Sequence, residues 1–83
     1  MSRFTGLEGR HAHLLGMVAE QATIDRETFD AEARRLRLLP EGAIETINDW
    51  AFDQFDEPVL EGEENLALVE HLREHLRTLE MAA

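Results

Sequence analysis

Four carboxylates recur at every fourth position in one part of the chain: Glu41, Glu45, Asp49 and Asp53. Residues four apart lie on one side of an α-helix, so the spacing predicts a negatively charged stripe along a single helix. Each neighbouring pair of like charges costs such a helix about 0.2–0.5 kcal/mol. Five more acids prolong the cluster beyond the helix: Asp56, Glu57, Glu61, Glu63 and Glu64. Carboxylates in this number could bind a metal cation or a basic protein surface.

Three interpretations of this acidic cluster stay open. It is a solvated face without a binding role, a docking surface for a basic protein partner, or a divalent-cation site. The docking candidates in the helix and turn at 41–64 are Glu41, Glu45, Asn48, Asp49, Phe52, Asp53, Asp56 and Glu57. The candidate metal ligands are Asp53, Asp56, Glu57 and Glu61. Calcium and magnesium need oxygens that converge from different backbone directions, and the segment lacks the ligand spacing of an EF-hand loop. Apart from this cation, no cofactor is predicted.

Phe52 is an aromatic residue on the acidic side of the predicted helix, near Glu41, Glu45 and Asn48. An aromatic ring among carboxylates suits an arginine-bearing partner, because a guanidinium binds both groups. The alternative, which we favour at this point, is that a hairpin or helix from later in the chain covers the ring.

Two histidines, His71 and His75, are one helical turn apart and would form half of a zinc or nickel site. Pairs of this kind on helices rich in Arg and Glu usually lie on the surface, so we predict that they do not bind metal. His11 falls on the apolar side of the first helix, where a packed and hydrogen-bonded imidazole is expected. His13 is predicted to face solvent.

No set of residues predicts catalysis. The chain has no Cys and no Tyr, and its only serine is Ser2. Carboxylates on a solvated face also lack the contrasting environments that would divide them into an acid and a base. We therefore expect a protein that is not an enzyme.

Charge and hydropathy narrow the classes of partner. Residues 1–37 carry six acids and six Arg, so the whole formal charge of −10 comes from the residues after them. An acidic surface repels phosphate backbones, which argues against nucleic acid and favours cations or basic proteins. The longest apolar runs are far too short to span a membrane, and the N-terminus has no signal-peptide pattern. A soluble cytoplasmic protein that does not insert into membranes is the expectation.

The periodicity of apolar residues predicts helices that position the acidic stripe. The first helix follows the series Leu7, His11, Leu14, Val18 and Ala22. The second begins at the N-cap Asp25, with Ile24 and Phe29 as a hydrophobic staple. The third has Pro40 in its first turn and is ended by Pro58.

The remaining segment is ambiguous. Residues 59–68 form either a short hairpin, with Val59 and Leu60 facing Leu66 and Leu68, or a loop. A last helix follows the series Val69, Leu72, Leu76 and Leu79. The predicted core residues are Leu14, Val18, Phe29, Leu36, Ile44, Ile47, Ala51, Phe55, Leu72 and Leu76.

These elements predict a mainly α, winged-helix-like fold of three helices and a closing helix, with a short β-hairpin between them as one of the two alternatives for residues 59–68. We expect one domain over residues 1–83, with residues 1–5 and 80–83 frayed. In DNA-binding winged-helix proteins the third helix is basic and enters the major groove. Here the third helix is acidic, so we keep the architecture and do not predict DNA binding.

The run "LEGRHAHLLGMVAEQATIDRETFDAEARRLRLLPEGAIETINDWAFDQFDEPVLE" resembles the TerB-C domain of bacterial proteins linked to tellurite resistance and stress response. Its most specific part is "LLPEGAIETINDWAFDQFDEPVLEGEE", residues 38–64. The resemblance implies a non-catalytic acidic module that binds metal or protein through its acids. By position, these would be Asn48, Asp49, Asp53, Asp56 and Glu57.

One departure from the family pattern concerns the partner. The chain lacks the TerB-type helical domain that precedes TerB-C domains, so it is expected to be either an excised domain or a stand-alone relative. TerB-type or other tellurite-resistance components are the implied protein partners. If the chain is a stand-alone relative, the partners that the family implies in the same polypeptide would instead be separate proteins that bind in trans.

Overall fold

The computed structural model describes Phe4 and residues 6–76. Its elements are α1 (Gly9–Gln21), β1 (Thr23–Asp25), α2 (Arg26–Arg35), α3 (Pro40–Phe55), β2 (Leu60–Glu61), β3 (Asn65–Leu68) and a 3-10 turn (Glu70–Leu72). The turn continues as α-helix over residues 73–76, and we call residues 70–76 the closing helix. The mainly α, winged-helix-like fold is confirmed. Of the residues predicted to fray, Phe4 is described, and it is completely buried. Residues 1–3, 5 and 80–83 lie outside the described residues, and so does Leu79 of the predicted last helix.

Side-chain caps fix the starts of the first two helices. Glu8 accepts hydrogen bonds from the backbone N–H groups of Arg10 and His11, and α1 therefore begins at Gly9. The helix thus begins two residues after Leu7, the first residue of the predicted apolar series, which is buried but precedes the helix. Asp25 accepts a 3.0 Å bond from the N–H of Thr28, which confirms it as the N-cap of α2.

The ends of α3 are where proline chemistry predicts them. Pro40 occupies the first turn, where its missing N–H costs no helical hydrogen bond. The helix ends at Phe55, and Asp56 turns the chain in a left-handed conformation with φ 61°. Its N–H donates to the carbonyl oxygen of Phe52 over 2.9 Å.

The hairpin is present, and it belongs to a three-stranded antiparallel sheet with the order β1-β3-β2. Leu60 faces Leu68 as predicted, whereas Leu66 faces Ile24 of β1. Sequence analysis missed β1, which is only three residues long and too short to show a period of two. Gly62 adopts φ 110° in the β2–β3 turn, where a Cβ would collide with the carbonyl oxygen of Asn65.

The core lies between the three helices and one face of the sheet. Seven of the ten predicted core residues are fully buried: Leu14, Val18, Phe29, Ile47, Ala51, Leu72 and Leu76. Leu36, Ile44 and Phe55 pack against the core from its edge and are only partly buried. The inner face of α3 is rotated towards Ala43 and Trp50, both of which are buried. Trp50 packs edge-on against Phe4 and Phe55, with ring centroids 5.8 and 5.9 Å apart.

Within residues 6–76, none of the helices has the length and apolarity needed to cross a lipid bilayer.

Candidate docking surface on the acidic helix

The outer side of α3 carries the predicted acidic stripe. Glu41, Glu45, Asp49 and Asp53 are all exposed, while Ile47 on the opposite side is completely buried. The i, i+4 spacing read from the sequence therefore places these four carboxylates together on the solvent side of one helix.

Arg26 joins the start of this stripe to the acidic turn between β2 and β3. Its guanidinium donates to Glu41 Oε1 over 2.8 Å and to Asp30 Oδ1 over 3.1 Å. Its backbone N–H donates to the carbonyl oxygen of Glu64 over 2.8 Å. The hydrogen bonds that Arg26 donates to Glu41 and Asp30 raise its pKa, so it stays charged at this junction. Arg26 was not among the predicted site residues, because its partners lie in three separate segments of the chain.

Asn48 joins the middle of α3 to the start of β2. Its Oδ1 accepts from the N–H of Val59 over 3.1 Å and from the N–H of Leu60 over 2.9 Å. Its Nδ2 donates to the carbonyl oxygen of Leu60 over 3.3 Å. The amide predicted to meet a partner thus holds the hairpin against the helix. With Arg26 at the other junction, it fixes the position of the hairpin relative to α3.

Phe52 lies on the acidic side of α3 and is 49% exposed. The expectation that a later element covers its ring is therefore wrong. Helical spacing places Asp49 one turn before Phe52 and Glu45 two turns before it on the same side of α3, and Asp56 follows four residues later at the end of the helix. Leu39, just before α3, is the other large apolar residue exposed in the described part of the chain.

Most carboxylates of this surface have no cationic partner. Among residues 6–76, salt bridges reach only two acids of the helix and turn, through Arg26–Glu41 and His71–Glu57. The acids left without one are Glu45, Asp49, Asp53, Asp56, Glu61, Glu63 and Glu64. In the first half, by contrast, Glu8, Asp30 and Glu32 each pair with an arginine.

Two of these three paired acids, Glu8 and Glu32, illustrate what an arginine does to a carboxylate. Hydrogen bonding from Arg10, and then from His11, lowers the pKa of Glu8 from 4.5 to about 2. Arg35, and then His13, lower the pKa of Glu32 from 4.5 to about 2. Both histidines lie as predicted: the ring of His11 is only 12% exposed, and that of His13 is half exposed.

The candidate metal ligands do not converge. No three His, Asp or Glu side chains in the described part of the chain are arranged to hold a metal ion. Glu57 instead lies 2.7 Å from Nε2 of His71, while Asp53, Asp56 and Glu61 point to solvent from separate backbone positions. His75 lies against the ring of Phe55, with its Nδ1 3.3 Å from the carbonyl oxygen of His71. The described residues thus do not fit a calcium or magnesium site.

A shallow groove between α1 and α2, floored by Met17 and Ala31, is less suited to bind a ligand. Its basic residue Arg35 is already bound to Glu32 at 2.6 Å. The α3 surface is the better candidate because its charges are unpaired.

Comparison with models of known protein families matches most of the chain. The family model described as the TerB-C domain matches residues 1–77. No curated protein and no solved structure matches the chain significantly.

Proposed function

This chain belongs to the TerB-C domain family, and we propose that it is a non-catalytic interaction module that docks a basic protein surface through residues 41–64. Membership of the family suggests a domain associated with tellurite resistance. The proposed setting is a bacterial tellurite-resistance and stress-response system in the cytoplasm. The proposed partners are TerB-type domains or other components of that system, attached in cis or binding in trans.

One observation carries the proposal: seven of the nine carboxylates in residues 41–64 are exposed and have no salt bridge within the described residues. Arg26 and Asn48 bond α3 to the segments on either side of the acidic turn, so the charged segments have a fixed position relative to each other. Unpaired like charges add nothing to folding stability. A basic partner would relieve their repulsion and gain electrostatic attraction over the whole face.

The position of the acidic stripe supports a protein partner over nucleic acid. In winged-helix proteins that bind DNA, the helix equivalent to α3 presents its outer side to the major groove. Here that side presents Glu45, Asp49 and Asp53 to solvent. These charges would repel phosphates and attract a surface rich in Arg or Lys.

The test is binding of a TerB-type helical domain to the wild type and to Glu45→Gln/Asp49→Asn/Asp53→Asn, measured by isothermal titration calorimetry. The matched control is Glu20→Gln/Glu27→Gln/Glu70→Gln, which removes the same charge from exposed acids outside the surface. We expect the first variant to bind at least about tenfold more weakly and the control to bind like the wild type. Equal weakening in both variants would show that only net charge matters. The absence of binding by the wild type would exclude this partner.

A further inference from the structure

We propose that the outer face of α3 recognises arginine in preference to lysine, with a partner's guanidinium stacked on Phe52 and bonded to the carboxylates around it. This inference rests on the proposed function and deepens it by naming the chemistry of the partner. The occupant is an arginine-bearing segment of another protein.

The exposure of Phe52 is the first step. The aromatic cluster of the core, formed by Phe4, Trp50 and Phe55, does not include this ring. Its half-exposed side chain thus leaves apolar area in water on a face that is otherwise polar. Exposed aromatic rings with a polar rim are typical of binding hot spots.

The surroundings of the ring are the second step. Asp49 lies one helical turn before Phe52, Glu45 lies two turns before it on the same side, and Asp56 follows at the end of the helix. None of the three has a salt bridge within the described residues. An apolar partner group on the ring would bring these charges towards a medium of low polarity, which is costly. A cationic group would instead gain attraction from the ring and from the carboxylates together.

Arginine fits this combination better than lysine. A guanidinium is planar, so it stacks on a ring while its edge N–H groups donate to a carboxylate in a bidentate manner. The ammonium of lysine is compact and strongly hydrated, and it cannot make both contacts in the same way.

The backbone on both sides of Phe52 is fixed before any partner arrives. Asn48, one turn before it, is bonded to Val59 and Leu60. Asp56, one turn after it, donates its N–H to the carbonyl oxygen of Phe52. A surface held in place in the free protein loses little conformational entropy on binding.

A second copy of the chain is the competing occupant. Arg34 and Arg37 are exposed and have no salt bridge within the described residues, so they could supply guanidinium groups. The formal net charge of −10 opposes self-association. We therefore assign the face to another protein.

The experiment uses two short peptides of identical length, charge and sequence except that one carries arginine wherever the other carries lysine. Each is titrated into the full chain at low salt, and binding is followed by NMR of the backbone amides. We expect the arginine peptide to bind roughly two- to fivefold more tightly, with shifts centred on Phe52. Phe52→Leu should abolish this preference and retain weak binding of both peptides. Leu39→Ser, which alters the other exposed apolar residue, should behave like the wild type.

The outcomes separate this inference from the proposed function. Equal affinity for the two peptides, or a preference that survives in Phe52→Leu, overturns the inference and leaves acidic docking in place. Failure of both peptides to bind overturns both proposals. A wild-type dimer in analytical ultracentrifugation that is lost in Arg34→Gln/Arg37→Gln would assign the face to a second copy and overturn the assignment to another protein.

Discussion

The side-chain amide of Asn48 pairs with both backbone polar groups of Leu60, at 2.9 Å for the N–H and 3.3 Å for the carbonyl oxygen. The two residues are twelve positions apart, and their bonds set where the acidic turn lies relative to α3.

Asn48→Ala should destabilise the domain by about 1–3 kcal/mol, because it leaves the N–H groups of Val59 and Leu60 without acceptors in a largely buried place. The measurement is urea denaturation combined with amide hydrogen exchange, in which the amides of β2 should lose protection first. Asn48→Asp keeps an acceptor for both N–H groups but sets a second oxygen against the carbonyl oxygen of Leu60, so it should also be less stable than the wild type. Equal stability of the wild type and Asn48→Ala would mean that the hairpin does not depend on this amide.

Ile47→Ala should lower the free energy of unfolding by about 2–5 kcal/mol, because Ile47 is completely buried on the inner side of α3. Thermal or urea denaturation measures this loss. Thr46→Ala, at an exposed neighbouring position, is the control and should change little. An unchanged midpoint for Ile47→Ala would contradict the assignment of the buried face.

The pH dependence of the folding stability should reveal the contribution of Glu8 and Glu32, two acids that pair with arginine. Glu8 and Glu32 have folded-state pKa values of about 2, below the ordinary 4.5, so the native state binds fewer protons than the unfolded chain. Their contribution to stability is complete above about pH 4.5 and is lost as the pH falls towards about 2. Urea midpoints measured from pH 5 to pH 2 should therefore fall less steeply for Glu32→Gln than for the wild type. Glu20→Gln, which removes an acid without a salt bridge, should leave the slope unchanged, and a steeper or equal slope in Glu32→Gln would refute this account.

Added salt should raise the melting temperature, because it screens the repulsion among the unpaired acids. Under the docking proposal, calcium and magnesium should do no more than sodium chloride of equal ionic strength, since no three candidate ligands converge in the described residues. Differential scanning fluorimetry of the wild type and Asp53→Asn/Asp56→Asn makes the comparison. Divalent stabilisation beyond matched salt, lost in the double variant, would establish a cation site instead.

The helix ends could be predicted because they depend on local chemistry, whereas the positions of elements distant in the sequence could not be predicted. Asp25, Pro40 and Pro58 act on their own neighbours in the chain, so their effects can be read from the sequence. The exposure of Phe52 depends on the position of a hairpin that begins eight residues later. The periodicity of the apolar residues in the sequence does not indicate that position.

The candidate docking surface could likewise be predicted only where it depends on spacing within one helix. Helical spacing was sufficient to place Glu45, Asp49 and Asp53 on one solvent-facing stripe. It could not show that Asn48 would be bonded to β2, because an amide in a helix gives no sign of a partner twelve residues away.

Asp56 is a position where stability and charge oppose each other. Its left-handed backbone, with φ 61°, would be adopted by glycine without strain. Its carboxylate also lies at the C-terminal end of α3, where the helix macrodipole disfavours negative charge. Glycine there would relieve both costs and would remove one of the charges beside Phe52. Thermostabilised versions of this domain, if selected on melting temperature alone, would therefore tend to replace Asp56 and weaken the surface it belongs to.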